Sequence, residues 1–279
     1  MRHRILHISD VHVGPPHRPE IAQKLIAQAH EIKPDLLVIS GDFVQRADFA
    51  DQWRAAQKLR AALPTPQLVV PGNHDVPLYN AHLRLLNPLG RYRRYISRDL
   101  NPVFELPGLV VVGACTAHGL TLDGGRLSKR QADTLRKTLA RYGPDTCKVV
   151  VWHHPVLTPL GIHRDRTMDD AGAAMALLDE CGAELLLCGH VHVSYVGNTL
   201  DVAHGLRQGT IICQSGTTTS RRGYGREQGR NSCNLIEVED NAIRISQLLY
   251  TEDAGRFVPV AEHAFPRLSL DTYHLPRAE

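Results

Sequence analysis

The sequence predicts an α/β protein built as a layered sandwich. Three observations carry this. Six short apolar runs of strand length occupy the chain up to Gly189, amphipathic helical segments lie between them, and beyond Gly189 the rhythm changes to strands joined by turns alone. The apolar runs cover residues 5–8, 36–39, 68–70, 109–112, 149–152 and 185–188. They are mostly Val, Ile and Leu without polar alternation, as expected of strands covered on both faces. In the first helical segment, 18–33, Ile21, Leu25, Ala29 and Ile32 recur at helical spacing with Lys24, Gln28 and Glu31 on the other side. Segments 48–63 and 128–142 repeat the theme, the latter opening on the capping-box pattern Ser128-Lys-Arg-Gln131 and stopping at Gly143-Pro144. An Ala-rich helix over 169–181 ends at Gly182. Strands are then expected at 210–213, 234–239, 242–250 and 257–263. The economical arrangement is a mostly parallel α/β half with a second, largely antiparallel sheet packed on it, within one domain spanning 1–279. Two arginine-rich stretches, 77–98 and 216–229, lack periodicity and are expected as surface loops near a site.

With 279 residues, 43% hydrophobic and 22% charged, the chain has ample material for a core, which excludes disordered, collagen-like and mini-protein classes. A formal charge of +3 is too small to mark a nucleic-acid or membrane partner. Six scattered cysteines without a Cys-x-x-Cys pair imply buried, reduced thiols. The first residues lack a signal-like apolar stretch, and no run approaches the roughly 18 apolar residues that span a bilayer. A cytoplasmic protein is expected. The strand at 242–250 offers an edge along which two copies could pair as a homodimer.

Chemistry is concentrated in five polar clusters, each following an apolar strand: Asp10-Val-His12, Gly41-Asp42, Gly72-Asn-His-Asp75, His153-His154-Pro155 and Gly189-His-Val-His192. Any one of them is a weak signal. All five at strand ends converge on the place where α/β sheets bind ligands, beyond the carboxyl ends of the strands. Several histidines and carboxylates with no cysteine suit two cations such as Mn, Fe, Zn or Co, rather than the all-oxygen shells of Mg or Ca.

Taken in order, these motifs resemble those of the calcineurin-like metallophosphoesterases: Asp-x-His, Gly-Asp, Gly-Asn-His-Asp or Glu, a His before a proline-containing turn, and Gly-His-x-His. Within that superfamily the chain is most similar to the bacterial cyclic-nucleotide and glycerophosphodiester phosphodiesterases, partly through Gly41-Asp-Phe-Val-Gln-Arg46. The resemblance implies the metallophosphoesterase fold, an α-β-β-α sandwich of two mixed sheets flanked by helices. It also implies that Asp10, His12, Asp42 and His192 hold one metal. Asp42, Asn73, His153 and His190 would hold the other, with Asp42 bridging. Alignment on His-x-Pro selects His153 and leaves His154 as a supporting or packing residue. Gln45 stands where purple acid phosphatases carry an iron-binding tyrosine, so a purple iron site is not expected.

What the resemblance implies about mechanism is attack on phosphorus by a metal-activated hydroxide, with inversion and no phosphoenzyme. His74, oriented by Asp75, would stabilise the developing charge or protonate the leaving oxygen. Asn73, His74 and Arg46 would contact the substrate, a small phosphodiester such as a cyclic nucleotide or glycerophosphodiester. The alternatives on the same site are a phosphomonoesterase, a nucleotide-sugar pyrophosphatase or a nuclease, and, from another class, a non-catalytic scaffold.

Overall fold

A computed structural model describes residues 2–120, 122–159 and 167–267. The first apolar run extends to β1 (Arg2–Ile8), followed by α1 (Pro19–Ile32), β2 (Leu36–Ile39), α2 (Ala50–Ala62) and β3 (Gln67–Val69). Two short helices, α3 (Ala81–Leu86) and α4 (Gly90–Tyr95), precede the hairpin of β4 (Val103–Leu106) and β5 (Leu109–Gly113). Then come α5 (Lys129–Leu139), β6 (Cys147–Val151), α6 (Ala171–Glu180) and β7 (Leu185–Cys188). The chain finishes with β8 (Tyr195–Asn198), β9 (Ile211–Gln214), β10 (Ser232–Glu239), β11 (Ala242–Thr251) and β12 (Arg256–Pro266).

These strands form two mixed six-stranded sheets, ordered β12-β11-β10-β1-β2-β3 and β4-β5-β6-β7-β9-β8. The division into a parallel half and a separate antiparallel sheet is therefore corrected. β10 pairs antiparallel with β1, so the C-terminal meander extends the first sheet, whereas β9 joins the second in parallel with β7. Apolar runs buried on both faces carry no record of which neighbour they pair with. β11 lies between β10 and β12, hydrogen-bonded to both, so it offers no edge to a second copy; the outer strand is β12.

Alternation along each strand sets the four layers. Ile5, Val38, Val149, Leu187 and Ile236 point between the sheets. Leu6, Ile8, Leu37 and Ile39 face the side of α1, where Ile21 and Leu25 pack, while Val150, Trp152, Leu186 and Cys188 meet Leu135, Leu139 and Leu178 of α5 and α6. With strands β1, β2 and β3 parallel in one sheet and β5, β6, β7 and β9 in the other, each set ends at a common edge, and the polar clusters follow those ends. The stretch expected as a surface loop at 77–98 instead holds α3 and α4. Asn80 caps α3 by accepting from the Leu83 N–H at 2.9 Å, and Leu89, Tyr92 and Ile96 are buried in the core. All six cysteines are free, five of them buried. No helix among the described residues is long and apolar enough to cross a membrane.

Candidate metal centre

The loops after β1 and β2 are zipped together: the Asp10 N–H donates to the Gly41 carbonyl at 3.1 Å and the His12 N–H to the Asp42 carbonyl at 2.9 Å. Six non-glycine residues among the described ones have left-handed backbone. Lys33 ends α1; the other five are Asp10, His12, Asp42, His190 and His192, with φ of 54, 47, 55, 74 and 62°. Such a conformation costs an L-residue about 1 kcal/mol or more, so the surroundings must impose it. It turns the side chains that follow each strand inward. Gly72 serves the same convergence by close approach, since a Cβ there would run into the Asp42 carboxylate.

Asp10 and Asp42 each have one carboxylate oxygen anchored and one aimed at the centre. Asp10 Oδ2 accepts the His190 N–H at 2.9 Å and Asp42 Oδ1 accepts the His74 N–H at 2.8 Å, leaving Asp10 Oδ1 and Asp42 Oδ2 without hydrogen-bond partners. Around Asp10 Oδ1 stand His192 Nε2 at 3.1 Å and His12 Nε2 at 3.6 Å, and the two Nε2 atoms are 2.9 Å apart. Asp42 Oδ2 lies 3.6 Å from His12 Nε2 and 3.3 Å from His153 Nε2. Asn73 Oδ1 completes the second group, 3.2 Å from His153 Nε2 and 3.1 Å from His190 Nδ1. Donors around one cation with bonds of about 2.0–2.2 Å must sit this far apart, and two buried orphan carboxylate oxygens need a positive partner. The residues present therefore fit metal ions. The His153 Nδ1–H donates to the Ser40 carbonyl at 2.7 Å and the His192 Nδ1–H to the Arg222 carbonyl at 3.0 Å, which turns each Nε2 toward the carboxylates.

The electrostatics match. Burial would raise the Asp10 and Asp42 carboxyls, yet the surrounding imidazoles, His192 for Asp10 and His153 for Asp42 foremost, hold both well below the usual range. Burial pushes His12 and His190 down to about 3, so both are neutral, as metal donors must be. His153 is opposed by burial but raised to about 9 by Asp42, the charge that a cation would replace.

Two residues differ from their expected places. Asp75 does not hold the His74 ring: its carboxylate accepts the backbone N–H groups of Phe43 at 3.0 Å, Val44 at 3.3 Å and Gly72 at 2.9 Å, tying the β2 loop to the β3 loop. The Gln45 carbonyl accepts from His74 Nδ1 at 2.8 Å instead, a backbone partner with no signature in the sequence. His154 is not mere packing. One ring nitrogen of each of His153, His154 and His190 lies within 4.8 Å of the others, and His154 is anchored by Thr116 Oγ1 at 2.8 Å from its Nδ1 while its Nε2 is buried and unpartnered. The start of the stretch expected as a surface loop at 216–229 is instead buried; Thr217 and Thr219 donate to the carbonyls of Asp10 and Val11 at 2.6 and 3.2 Å, bracing the β1 loop. The arginines do converge. Arg46 Nη1 is 2.9 Å from His74 Nδ1, and Arg222 Nη1 is 3.3 Å from His74 Nε2.

Two mixed sheets whose strand ends present a buried His/Asp cluster define a metallophosphoesterase. Residues 3–194 match the model of the calcineurin-like phosphoesterase family, and the chain belongs to that family. It is similar to a protein named probable cyclic nucleotide phosphodiesterase from Rhodococcus erythropolis, 23% identical over 87% of this chain and 82% of that one. It is also similar to the glycerophosphodiester phosphodiesterase GpdQ of Enterobacter lignolyticus, 31% identical over 57% of this chain and 56% of the relative. Among solved structures, a dimetal phosphatase from Danio rerio shares the fold with a TM-score of 0.67 at 11% identity, covering 95% of this chain and 99% of that one. A purple acid phosphatase from yellow lupin seeds gives 0.68 at 12% identity over 96% of this chain, which spans about half (54%) of that protein's length.

Proposed function

We propose that the chain is a binuclear metal-dependent phosphodiesterase acting on cyclic nucleotides or glycerophosphodiesters. Asp42 carries this reading: its unpartnered Oδ2 is shared between the donor group of Asp10, His12 and His192 and the donor group of Asn73, His153 and His190. The names borne by the two curated relatives support the diester over the monoester. The nitrogen and oxygen donors suit Mn, Fe or Zn. Two cations, when bound, would acidify a water as the nucleophile and offset charge on the phosphoryl oxygens.

The chain's own groups do the rest. Burial, with Arg222 and Arg46 and against the pull of Asp42, lowers the His74 pKa, so the resting ring is neutral and the guanidiniums supply the fixed positive charge. An anionic phosphoryl group arriving beside Nε2 raises that pKa again, which suits His74 to protonate the leaving oxygen. Arg46 and Arg222 present donors matched to phosphoryl oxygens.

The test compares Mn-dependent hydrolysis of bis(p-nitrophenyl) phosphate and p-nitrophenyl phosphate, with chelated protein and Asp42→Ala as controls. A diester preference that falls at least about a hundredfold in Asp42→Ala is expected; a monoester preference overturns the diesterase reading.

A further inference from the structure

A groove of about 650 Å³ opens beside His74, walled chiefly by Gln45, Arg46, Phe49, Tyr79, Arg221 and Arg222. Its inner end abuts the donor cluster, for the His74 ring stands edge-on to that of His12 with 4.7 Å between centroids. There Arg222 Nη1 donates to Gln45 Oε1 at 2.9 Å while facing His74. The outer wall is aromatic. Phe49 and Tyr79 are 46% and 68% exposed, with ring centroids 6.3 Å apart at 64°.

Large rings in water normally turn inward, and here the backbone keeps them out. The Asp48 carboxylate, next in sequence to Phe49, accepts the N–H groups of Leu78, Tyr79 and Asn80 at 2.8, 3.2 and 3.0 Å. Arg91 Nη1 donates to the Ala47 carbonyl at 3.0 Å and also to that of Asp48. The two aromatic segments are thus tied to each other and to α4 before any ligand arrives. Two inclined aromatic rings fixed beside two guanidiniums match a ligand that carries an anionic group and a planar ring together, the ring free to lie face-on to one and edge-on to the other.

We propose that this groove holds one ester group of the diester and selects one bearing a flat aromatic ring, a nucleobase or aryl group, laid against Phe49 and Tyr79. Arg46 and Arg222 meet the phosphoryl oxygens at its inner end. A glycerol-type ester group would leave both rings in water. The inference rests on the diesterase reading and decides between its two substrate classes.

Competitive inhibition of Mn-dependent bis(p-nitrophenyl) phosphate hydrolysis by adenosine 5′-monophosphate and by glycerol 3-phosphate tests it, because both carry a phosphate and only one a ring. The nucleotide should inhibit at concentrations about tenfold lower. The double substitution Phe49→Ala, Tyr79→Ala should erase that preference and Tyr79→Phe should keep it. Both rings are exposed, so an unchanged melting temperature is expected of each variant. Equal inhibition of the parent, or a preference that survives the double substitution, overturns the proposal. Absence of metal-dependent hydrolysis in the parent counts against the diesterase reading alone; calorimetric titration of the two monoesters into Mn-loaded protein then reads the groove by the same criterion.

Discussion

At the scale of single residues, two adjacent histidines have different surroundings. His153 turns Nε2 toward Asp42 and Asn73, whereas His154 is fixed through Thr116 and lies against His190, ring centroids 4.8 Å apart. His153→Ala should therefore halve the bound Mn, and His154→Ala should retain both ions while weakening affinity about 10–100-fold, as loss of a supporting group does. Metal analysis by plasma emission together with Mn titration checks this; equal stoichiometry in the two variants would remove the distinction, and loss of an ion from His154→Ala alone would reverse it. That these side chains converge was legible in the sequence, because each cluster follows an apolar strand. The partners that orient them were not. Gln45 holds His74, Ser40 holds His153 and Arg222 holds His192 through backbone carbonyls, which every residue type possesses.

At the scale of elements, the buried strands and the longer helices lie within a few residues of where the sequence places them, the strands through unbroken apolar runs and the helices through periodicity over many positions. β4, β8, α3 and α4 escaped for a physical reason. They are four to six residues long and half exposed, so they show neither a continuous apolar run nor a full helical period. The turn after β3 is central to the site. It brings Asn73, His74 and Asp75 into a single 3-10 turn, and Gly72 at its head lies against Asp42 with no room for a methyl group. Gly72→Ala should displace the Asp42 carboxylate by a few tenths of an ångström or more and lower kcat at least about a hundredfold. Far-UV circular dichroism should stay near that of the parent. Full activity in the variant would show that the β2 and β3 loops can part without consequence.

At the scale of the whole molecule, the two sheets bury a titratable residue between them. His7 is fully buried, with Nε2 2.9 Å from Ser40 Oγ and Nδ1 3.4 Å from Asn234 Nδ2. Burial pushes its pKa from 6.5 to about 3, against the pull of Asp10. A depressed folded pKa means that the unfolded chain takes up the proton first. The stability held above about pH 6.5 is therefore lost as pH falls toward 3, some 2–3 kcal/mol of it by about pH 4.5. Urea denaturation in chelator should show His7→Gln losing less stability than the parent between about pH 7.5 and 4.5; parallel losses would place the acid sensitivity elsewhere. The left-handed backbone at Asp10, His12, Asp42, His190 and His192 bears on how such a chain changes over generations. Glycine at any of these five positions removes a side chain of the candidate centre and relaxes the main chain in one stroke, returning about 1 kcal/mol of what the lost side chain contributed. Glycine substitutions here should therefore cost the fold less than at equally buried positions with ordinary backbone, so loss of these side chains and loss of the fold need not go together.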